Sequence, residues 1–226
     1  MSGFFASLRM TTITMTQILH INPKVPDLRE IQKGADIILK GEVVAYPTET
    51  IYGLGADVFN RKAVKKIYDL KARDYGLPIS ILVSNMEMLR ELVTDVPDRV
   101  KMLMRRFWPG PLTILFQAND SFPKSLLTNT GKIGVRASSH PIVAALVSHV
   151  GRPITTTSAN LSGFPPSLNI KHVQKYFGDH LPCIIDGGEC EPSRGSTVVD
   201  VTEETMRIIR DGAIPAEEVI RCFQQS

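Results

Sequence analysis

The chain has 226 residues, of which 26 are basic and 23 are acidic, and 43% of its residues are hydrophobic. This size and apolar content are typical of one globular domain whose core is stable without disulfides or metals. A charged fraction of 22% and a mean hydropathy of +0.00 exclude a disordered chain and a membrane protein. The net charge of +3 suits an anionic small molecule and is too low for a dedicated DNA-binding protein.

The first 22 residues are predicted to be a tail outside the folded domain, which we place at residues 23–226. The first part of this tail contains three methionines, Met1, Met10 and Met15, and only one arginine, Arg9. Its apolar run is too short and too interrupted for a signal peptide. The hydroxyl-rich composition is typical of a transit peptide, but a natural start at Met10 or Met15 is the simpler interpretation.

Helical and strand patterns alternate along the rest of the chain. Asp27 precedes apolar residues at helical spacing and Gly41 follows them, which predicts a capped amphipathic helix at 28–39. Further helices are predicted at 61–70 (after Asn60), 87–93, 99–107, 141–150 and 215–223. Strands are predicted at 42–46, 79–83, 112–117, 133–137, 154–157, 183–186, 197–201 and 206–210. Because several strands follow one another with only turns between them, we expect an α/β protein of the α+β type, with a mixed, twisted sheet flanked by helices.

The common motifs of nucleotide, metal and covalent chemistry do not occur in the sequence. Gly131 and Lys132 are followed by Ile133, where a phosphate-binding loop needs a hydroxyl. No HExxH and no paired CxxC motif predicts a metal site. Ser158 lacks the glycine elbow and the assigned base of a nucleophile, so we assign no catalytic acid, base or nucleophile.

Four polar clusters lie where a predicted strand ends or a helix begins, which is where open α/β sheets bind ligands. The first, at 46–55, places two threonines and Glu49 after a strand; it either binds a small polar ligand or forms a plain turn with self-satisfied hydroxyls. The second is Lys71 with Arg73 at a helix end. These two cations either converge on one anion or remain solvated, favoured by the helix dipole.

The other two clusters combine hydroxyls and cations. Residues 155–163 contain five hydroxyls and one amide, a density of small donors that suits a phosphate or a ribose. The fourth cluster contains Lys132 and Arg136, which flank one predicted strand, and Ser196 and Arg210, which lie at the ends of two others. Each of these cations would be interpreted as surface charge if it were isolated.

Several motifs occur in the order and spacing of the YrdC-like family, whose core enzymes are threonylcarbamoyl-AMP synthases. They are YPTETIYGLG, the KxR at Lys71 and Arg73, FWPGPLT, IGVR, TSANLSG, STVVD and IRDGAI. From about residue 31 to residue 220 the chain resembles the short, single-domain form of this family. The resemblance implies a mixed sheet that forms a deep, basic, concave cavity. It also implies synthesis of threonylcarbamoyl-AMP and pyrophosphate from L-threonine, bicarbonate and ATP, for the later modification of tRNA.

The resemblance also implies the site residues, position by position. The ATP-binding positions are occupied by Lys71, Arg73, Lys132, Ser158, Asn160, Ser167 and Arg210. The threonine-binding positions are occupied by Thr50, Arg136, Thr156 and Ser196. The family hydroxyl assigned to Ser167 aligns one residue earlier, with Pro166. A paralogous branch of the family alters the KxR and SxN residues, whereas this chain keeps all four, which favours the synthase.

A cofactor and several partners follow from the same resemblance. Mg²⁺ is expected with ATP, held mainly by phosphates and water, because no acidic pair predicts protein ligands. The expected partners are the three substrates, the downstream tRNA threonylcarbamoyl-transfer proteins and, weakly, RNA or tRNA, with no membrane. Three cysteines without metal-type spacing favour a reduced, cytoplasmic protein. The alternative function is a YrdC-like protein that binds double-stranded RNA or nucleotides without synthase activity.

Overall fold

The structure is a computed structural model that describes residues 15–127 and 130–225, and the strands in these residues form one ten-stranded sheet. The strands are β1 (Gln17–His20), β2 (Val44–Tyr46), β3 (Gly53–Gly55), β4 (Ser80–Leu82), β5 (Leu112–Gln117), β6 (Lys132–Arg136), β7 (Ile154–Ser158), β8 (Cys183–Asp186), β9 (Thr197–Asp200) and β10 (Arg207–Arg210). The helices are α1 (Leu28–Leu39), α2 (Arg61–Lys71), α3 (Met86–Arg90), α4 (Asp98–Phe107), α5 (Pro141–Val150), α6 (Ile170–Phe177) and α7 (Ala216–Gln224). Short 3₁₀ turns occupy Lys124–Leu126 and Gly178–His180.

The sheet is mixed, as the sequence predicts. Its strand order is β1-β8-β2-β3-β7-β4-β6-β5-β9-β10. Near the centre, β7 pairs antiparallel with both β3 and β4, whereas β4 pairs in parallel with β6. The predicted α/β class with helices flanking a mixed sheet is therefore confirmed.

Local signals explain where the best predicted helices begin and end. The side chain of Asp27 caps α1 by accepting a hydrogen bond from the N–H of Arg29, and Asn60 caps α2 in the same way. Pro141 occupies the first turn of α5, and Gly151 ends this helix in the left-handed conformation. Because these signals lie next to the helices in sequence, the predicted bounds of α1, α2 and α5 agree closely with the structure.

The core lies between the sheet and the helices that cover it. α1 packs against α5, and Ile31, Ile38 and Leu146 on these helices are fully buried. Ile81 in β4 and Val135 in β6 are also fully buried. Burial of each such side chain stabilises the fold by about 1.5–3 kcal/mol. The strands that carry the polar clusters are therefore held in place by a well-packed core.

Two elements inside the predicted domain, β3 and α6, were not predicted from the sequence. β3 reads Gly-Leu-Gly, and glycine disfavours strands. The glycines are needed because the Tyr46 ring lies against them: a Cβ atom added to Gly55 would come within 2.5 Å of that ring. α6 has only eight residues and is capped by Asn169.

The predicted tail at residues 1–22 needs correction at its C-terminal end. Residues 17–20 form β1, which pairs in parallel with β8 at the edge of the sheet. Leu19 and Ile21 are each only 3% exposed. Four residues are too few for a periodic pattern to reveal, so pairing with a distant strand defines this element. Residues 1–14 of the predicted tail lie outside the described residues.

None of the helices in residues 15–127 and 130–225 combines the length and the apolar character that a membrane crossing requires.

Candidate active site

A polar cavity of about 480 Å³ lies over the middle of the sheet, a size typical of small-molecule sites. Among the residues that the structure describes, its lining is rich in arginines and hydroxyls and contains no carboxylate. The polar lining residues are Arg73, Arg136, Arg194, Arg210, Thr48, Thr50, Thr113, Thr156, Thr157, Tyr52, Ser80, Ser158, Ser193, Ser196 and Asn160. The lining therefore offers many hydrogen-bond donors and a positive charge to an anionic ligand.

The pairing of β7 brings distant polar segments together in this cavity. Ser158 lies opposite Gly53 of β3, and Thr156 lies opposite Ser80 of β4. Thr156, Thr157 and Ser158, at the end of β7, all line the cavity. Arg136 arrives at the same place through the parallel pairing of β6 with β4.

Lys71, at the end of α2, is buried beneath the cavity and does not line it. Its Nζ donates hydrogen bonds to the backbone carbonyl oxygens of Ser158 and Asn160, the latter at 2.8 Å. Burial first, and then the charge of Arg73, lower the pKa of Lys71 to about 8. Lys71 therefore holds the end of β7 and the loop after it through their backbone carbonyls. Among the described residues, no carboxylate compensates its charge.

Arg73 and Arg210 are the arginines of the lining that form no ion pair within the described residues. After Ala72 turns the chain in the left-handed region, with φ of 48°, Arg73 reaches the cavity and its Nη2 donates to the carbonyl of Pro78 at 2.9 Å. Arg210 donates to the carbonyl and hydroxyl oxygens of Ser196 at 2.7 and 3.0 Å. Guanidinium groups that contact only neutral oxygens keep their positive potential, which suits phosphate oxygens.

The loop that follows β7 is held by its own side chains. Asn160 lines the cavity, and its Nδ2 donates to the carbonyl of Phe164 at 2.5 Å. Ser167 is fully buried and its hydroxyl donates to the carbonyl of Ala159. Pro166, one residue earlier, lines the cavity where Ser167 does not.

Arg136 is 4% exposed and lies in the cavity wall beside Glu49. Its Nη2 is 2.8 Å from Glu49 Oε1, and its Nε donates to the carbonyl of Gly110 at 3.2 Å. Burial raises the pKa of Glu49, but the charge of Arg136 and the hydroxyl of Ser138 outweigh it and hold this pKa below its ordinary value. Glu49 is therefore ionised at neutral pH and forms a buried ion pair with Arg136.

Lys132, at the start of β6, lies outside the cavity lining. Its Nζ is 2.8 Å from Oδ2 of Asp200, a carboxylate that is only 4% exposed. Burial raises the pKa of Asp200, but hydrogen bonds from Lys132, Thr202 and Arg207 outweigh burial and lower it to about 2. The charge of Lys132 is therefore compensated inside the protein.

The cavity brings together eight of the eleven predicted site residues: Arg73, Ser158, Asn160, Arg210, Thr50, Arg136, Thr156 and Ser196. Lys71, Lys132 and Ser167 are placed outside its lining. Sequence reasoning missed Thr113, whose Oγ1 lies 2.8 Å from the hydroxyl of Ser196. The available signal was one hydroxyl within the otherwise apolar run LTILF.

A second cavity of about 440 Å³ lies beside α3 and α4 and differs in character. Met86, Met104 and Trp108 contribute to a mainly apolar wall, and none of the predicted site residues lines it. Within the described part of the chain, no group of three or more His, Cys, Asp or Glu side chains could hold a metal ion. The polar cavity is therefore the candidate active site.

Comparisons with known proteins point to one family. A family model for Sua5, YciO and YrdC, described as "Telomere recombination", matches residues 36–212. The threonylcarbamoyl-AMP synthase of Pyrococcus abyssi is 37% identical over 205 residues, which are 91% of this chain and 60% of that protein. The threonylcarbamoyl-AMP synthase of Marinobacter nauticus is 36% identical over 180 residues, which are 78% of this chain and 93% of that protein.

Solved structures agree with this similarity. Sua5 of P. abyssi, complexed with L-threonine, superposes with a TM-score of 0.88 at 36% identity, covering 92% of this chain and 61% of that chain. YciO of E. coli superposes with a TM-score of 0.81 at 27% identity, covering 88% of this chain and 97% of that chain. The chain thus spans about 60% of the length of the P. abyssi protein and nearly the whole length of shorter relatives.

Proposed function

Because the chain belongs to the Sua5/YciO/YrdC family, we propose that it is a threonylcarbamoyl-AMP synthase, a nucleotidyltransferase that uses L-threonine, bicarbonate and ATP. The observation that carries this proposal is the polar cavity, in which eight predicted substrate-binding residues lie together. The names of the relatives, and a related structure that contains L-threonine, support the choice of substrates.

The triphosphate of ATP is assigned to the part of the cavity lined by Arg73, Arg210, Ser158 and Asn160. A triphosphate, a carbamate and a carboxylate must meet in this reaction, and two like unit charges 4 Å apart repel by roughly 4 kcal/mol at an effective dielectric of 20. Arg73 and Arg210 can offset this repulsion because no carboxylate within the described residues pairs with them. Ser158 and Asn160 supply neutral groups that orient phosphate oxygens.

L-threonine is assigned to the hydroxyl-rich wall around Arg136. The guanidinium of Arg136 is suited to the carboxylate of the amino acid. Thr50, Thr156 and Ser196 line the same cavity and can surround the amine and the side-chain hydroxyl. Such a wall favours a small polar amino acid over a large apolar one, because a large apolar side chain would leave these hydroxyls unpaired.

The proposed reaction has two bond-forming steps. The threonine amine attacks carbon dioxide, which opens one C=O bond and releases the amine proton to water, or attacks activated bicarbonate, which loses water; either route forms the N–C bond of a carbamate. A carbamate oxygen then attacks the α-phosphorus of ATP, and the bond to the bridging oxygen breaks so that pyrophosphate leaves with the electron pair. Among the described residues we assign no acid, base or nucleophile; the cavity acts by holding the reactants in line and by offsetting negative charge.

Mg²⁺ would accompany ATP rather than occupy a site built by the protein. The described residues do not fit a protein-built magnesium site, because no carboxylate lines the cavity. We therefore assign any magnesium to phosphate oxygens and water, and no step above depends on it. The product would supply proteins that modify tRNA, and the buried thiols of Cys183 and Cys190 are consistent with a reducing cytoplasm.

The direct test is pyrophosphate release from ATP, with L-threonine and bicarbonate omitted in turn. We expect release only when all three substrates are present. The variant R73Q should lose this activity, whereas the matched control R29Q, on the exposed surface of α1, should keep it. Release that is independent of threonine would contradict the proposal.

RNA binding is tested by titration of a double-stranded RNA at physiological salt. We expect weak binding that ATP with threonine displaces, because the same cavity cations would contact both ligands. Tight binding that nucleotide does not displace, without pyrophosphate release, would favour the RNA-binding alternative over the synthase.

A further inference from the structure

The guanidinium of Arg136 is held on two sides before any ligand binds. Its Nε donates to the carbonyl of Gly110, and its Nη2 faces Glu49 Oε1 at 2.8 Å. This Nη2 is buried and forms no hydrogen bond of good geometry within the described residues. No hydrogen bond from Nη1 is found there either. Arg136 is therefore fixed in place while its terminal N–H groups keep unused capacity for a ligand in the cavity.

Glu49 is itself fixed by the chain that follows Arg136. The hydroxyl of Ser138 donates to Glu49 Oε2, and the backbone N–H of Ser139 donates to Glu49 Oε1 at 3.3 Å. Glu49 lies in the turn between β2 and β3, so its carboxylate ties that turn to the loop between β6 and α5. A group held by three contacts has little freedom, and its position dictates where the guanidinium of Arg136 can lie.

We infer that Glu49 is a positioning residue for the amino-acid substrate: it holds the guanidinium of Arg136 so that its free N–H groups meet the carboxylate of threonine. This inference rests on the proposed function. Glu49 does not line the cavity and acts only through Arg136. Without the Glu49 carboxylate, a buried arginine would lose its counter-ion and turn toward other acceptors or toward water.

The ion pair between Glu49 and Arg136 also distinguishes the binding position of the threonine carboxylate from that of the triphosphate. Arg136 is compensated by Glu49, whereas Arg73 and Arg210 form no ion pair within residues 15–127 and 130–225. Bound phosphates are therefore stabilised most strongly by the uncompensated charges of Arg73 and Arg210. Arg136 contributes directional hydrogen bonds more than net charge. Glu49 thus makes Arg136 better suited to a carboxylate than to a phosphate. Removal of the Glu49 carboxylate should therefore weaken the binding of threonine more than the binding of ATP.

The test is steady-state pyrophosphate release by the full chain with the variants E49Q and E49D. E49Q should raise the KM for L-threonine by about tenfold or more, because a charge-assisted contact is lost, and should leave the KM for ATP within about twofold. E49D keeps the charge and should lie between E49Q and the wild type. The control E42Q removes an exposed surface pair with Lys66 and should change neither KM.

A second variant keeps the inference testable if E49Q fails to fold. S138A removes one anchor of the Glu49 carboxylate and should raise the KM for threonine by about threefold, again without a change for ATP. An unchanged threonine KM in E49Q, or equal rises for both substrates, would overturn the inference while the proposed function stands. Absence of threonine-dependent release by the wild type would overturn both.

Discussion

The end of α2 and the start of β6 each carry a lysine that the family resemblance predicts to bind ATP, and the structure gives the two lysines opposite surroundings. Lys71 contacts carbonyl oxygens and lies near Arg73, so its charge is uncompensated and its pKa falls to about 8. Lys132 lies 2.8 Å from the buried carboxylate of Asp200. The comparison shows that a lysine in a motif predicts a charge, whereas its tertiary partner decides whether that charge is compensated inside the protein.

Replacement of Lys71 should have the largest effect. K71M leaves the carbonyls of Ser158 and Asn160 without their buried donor, at a cost of about 1–3 kcal/mol for each unpaired group. The loop that carries both side chains into the cavity should shift, and pyrophosphate release should fall by about 100-fold or more. K132M, the matched control, should stay within about threefold of the wild type in the same assay, because Lys132 does not line the cavity. Similar losses in both variants would remove the distinction between the two lysines.

Lys132 should matter for stability instead of activity. K132M leaves Asp200 buried with Arg207 and Thr202 as remaining partners, so the free energy of unfolding should fall by about 1–3 kcal/mol. Urea denaturation measures this change. The double variant K132M/D200N should recover part of the loss, because no carboxylate is then left buried without Lys132. A midpoint that K132M does not change would contradict this role.

The pH dependence of stability should reveal the uncompensated charge of Lys71. Its pKa is about 8 in the folded protein, below the ordinary lysine value of 10.5, so the unfolded chain binds more protons between these values. The free energy of unfolding should therefore increase as pH rises from about 8 towards 10.5, and it should decrease again as pH falls back to about 8. Between pH 7.5 and 9.5 the wild type should gain about 1–2 kcal/mol relative to K71M. Parallel pH profiles for the two proteins would be inconsistent with a neutral Lys71 at high pH.

Arg207 should have the smallest effect of the residues in this comparison. Its side chain is 55% exposed and lies 3.1 Å from Asp200. Because water already solvates this arginine, R207Q should lower the free energy of unfolding by less than about 1 kcal/mol. A loss as large as that of K132M would show that Arg207, not Lys132, is the principal counter-ion of Asp200.

Much of the fold could be predicted because its signals are local. Caps such as Asp27 and Asn60, and apolar periodicity within one helix, are read within a dozen residues. β1 and β3 could not be predicted in this way. β1 exists through pairing with β8, and β3 consists mainly of glycines that the ring of Tyr46 requires.

The candidate site was predictable in its residue types and less so in its contacts. The motifs and their resemblance to a family supplied the eight cavity residues. Thr113 and Glu49 were not assigned, because Thr113 lies inside an apolar strand and Glu49 acts through Arg136. The assignment of Ser167 to ATP stays a prediction; in the structure its hydroxyl is buried and donates to the carbonyl of Ala159.

The sequence by itself determined the mixed α/β class, the ends of α1, α2 and α5, and the set of cations and hydroxyls available for an anionic ligand. Only the tertiary structure decided which of them reach the cavity. The deciding partners are distant in the chain: Lys71 and Ser158 are 87 residues apart, and Lys132 and Asp200 are 68 residues apart. The physical reason is that burial and charge compensation depend on groups that strand pairing brings together. Local sequence encodes propensity and charge, but it does not encode which distant group will neutralise that charge.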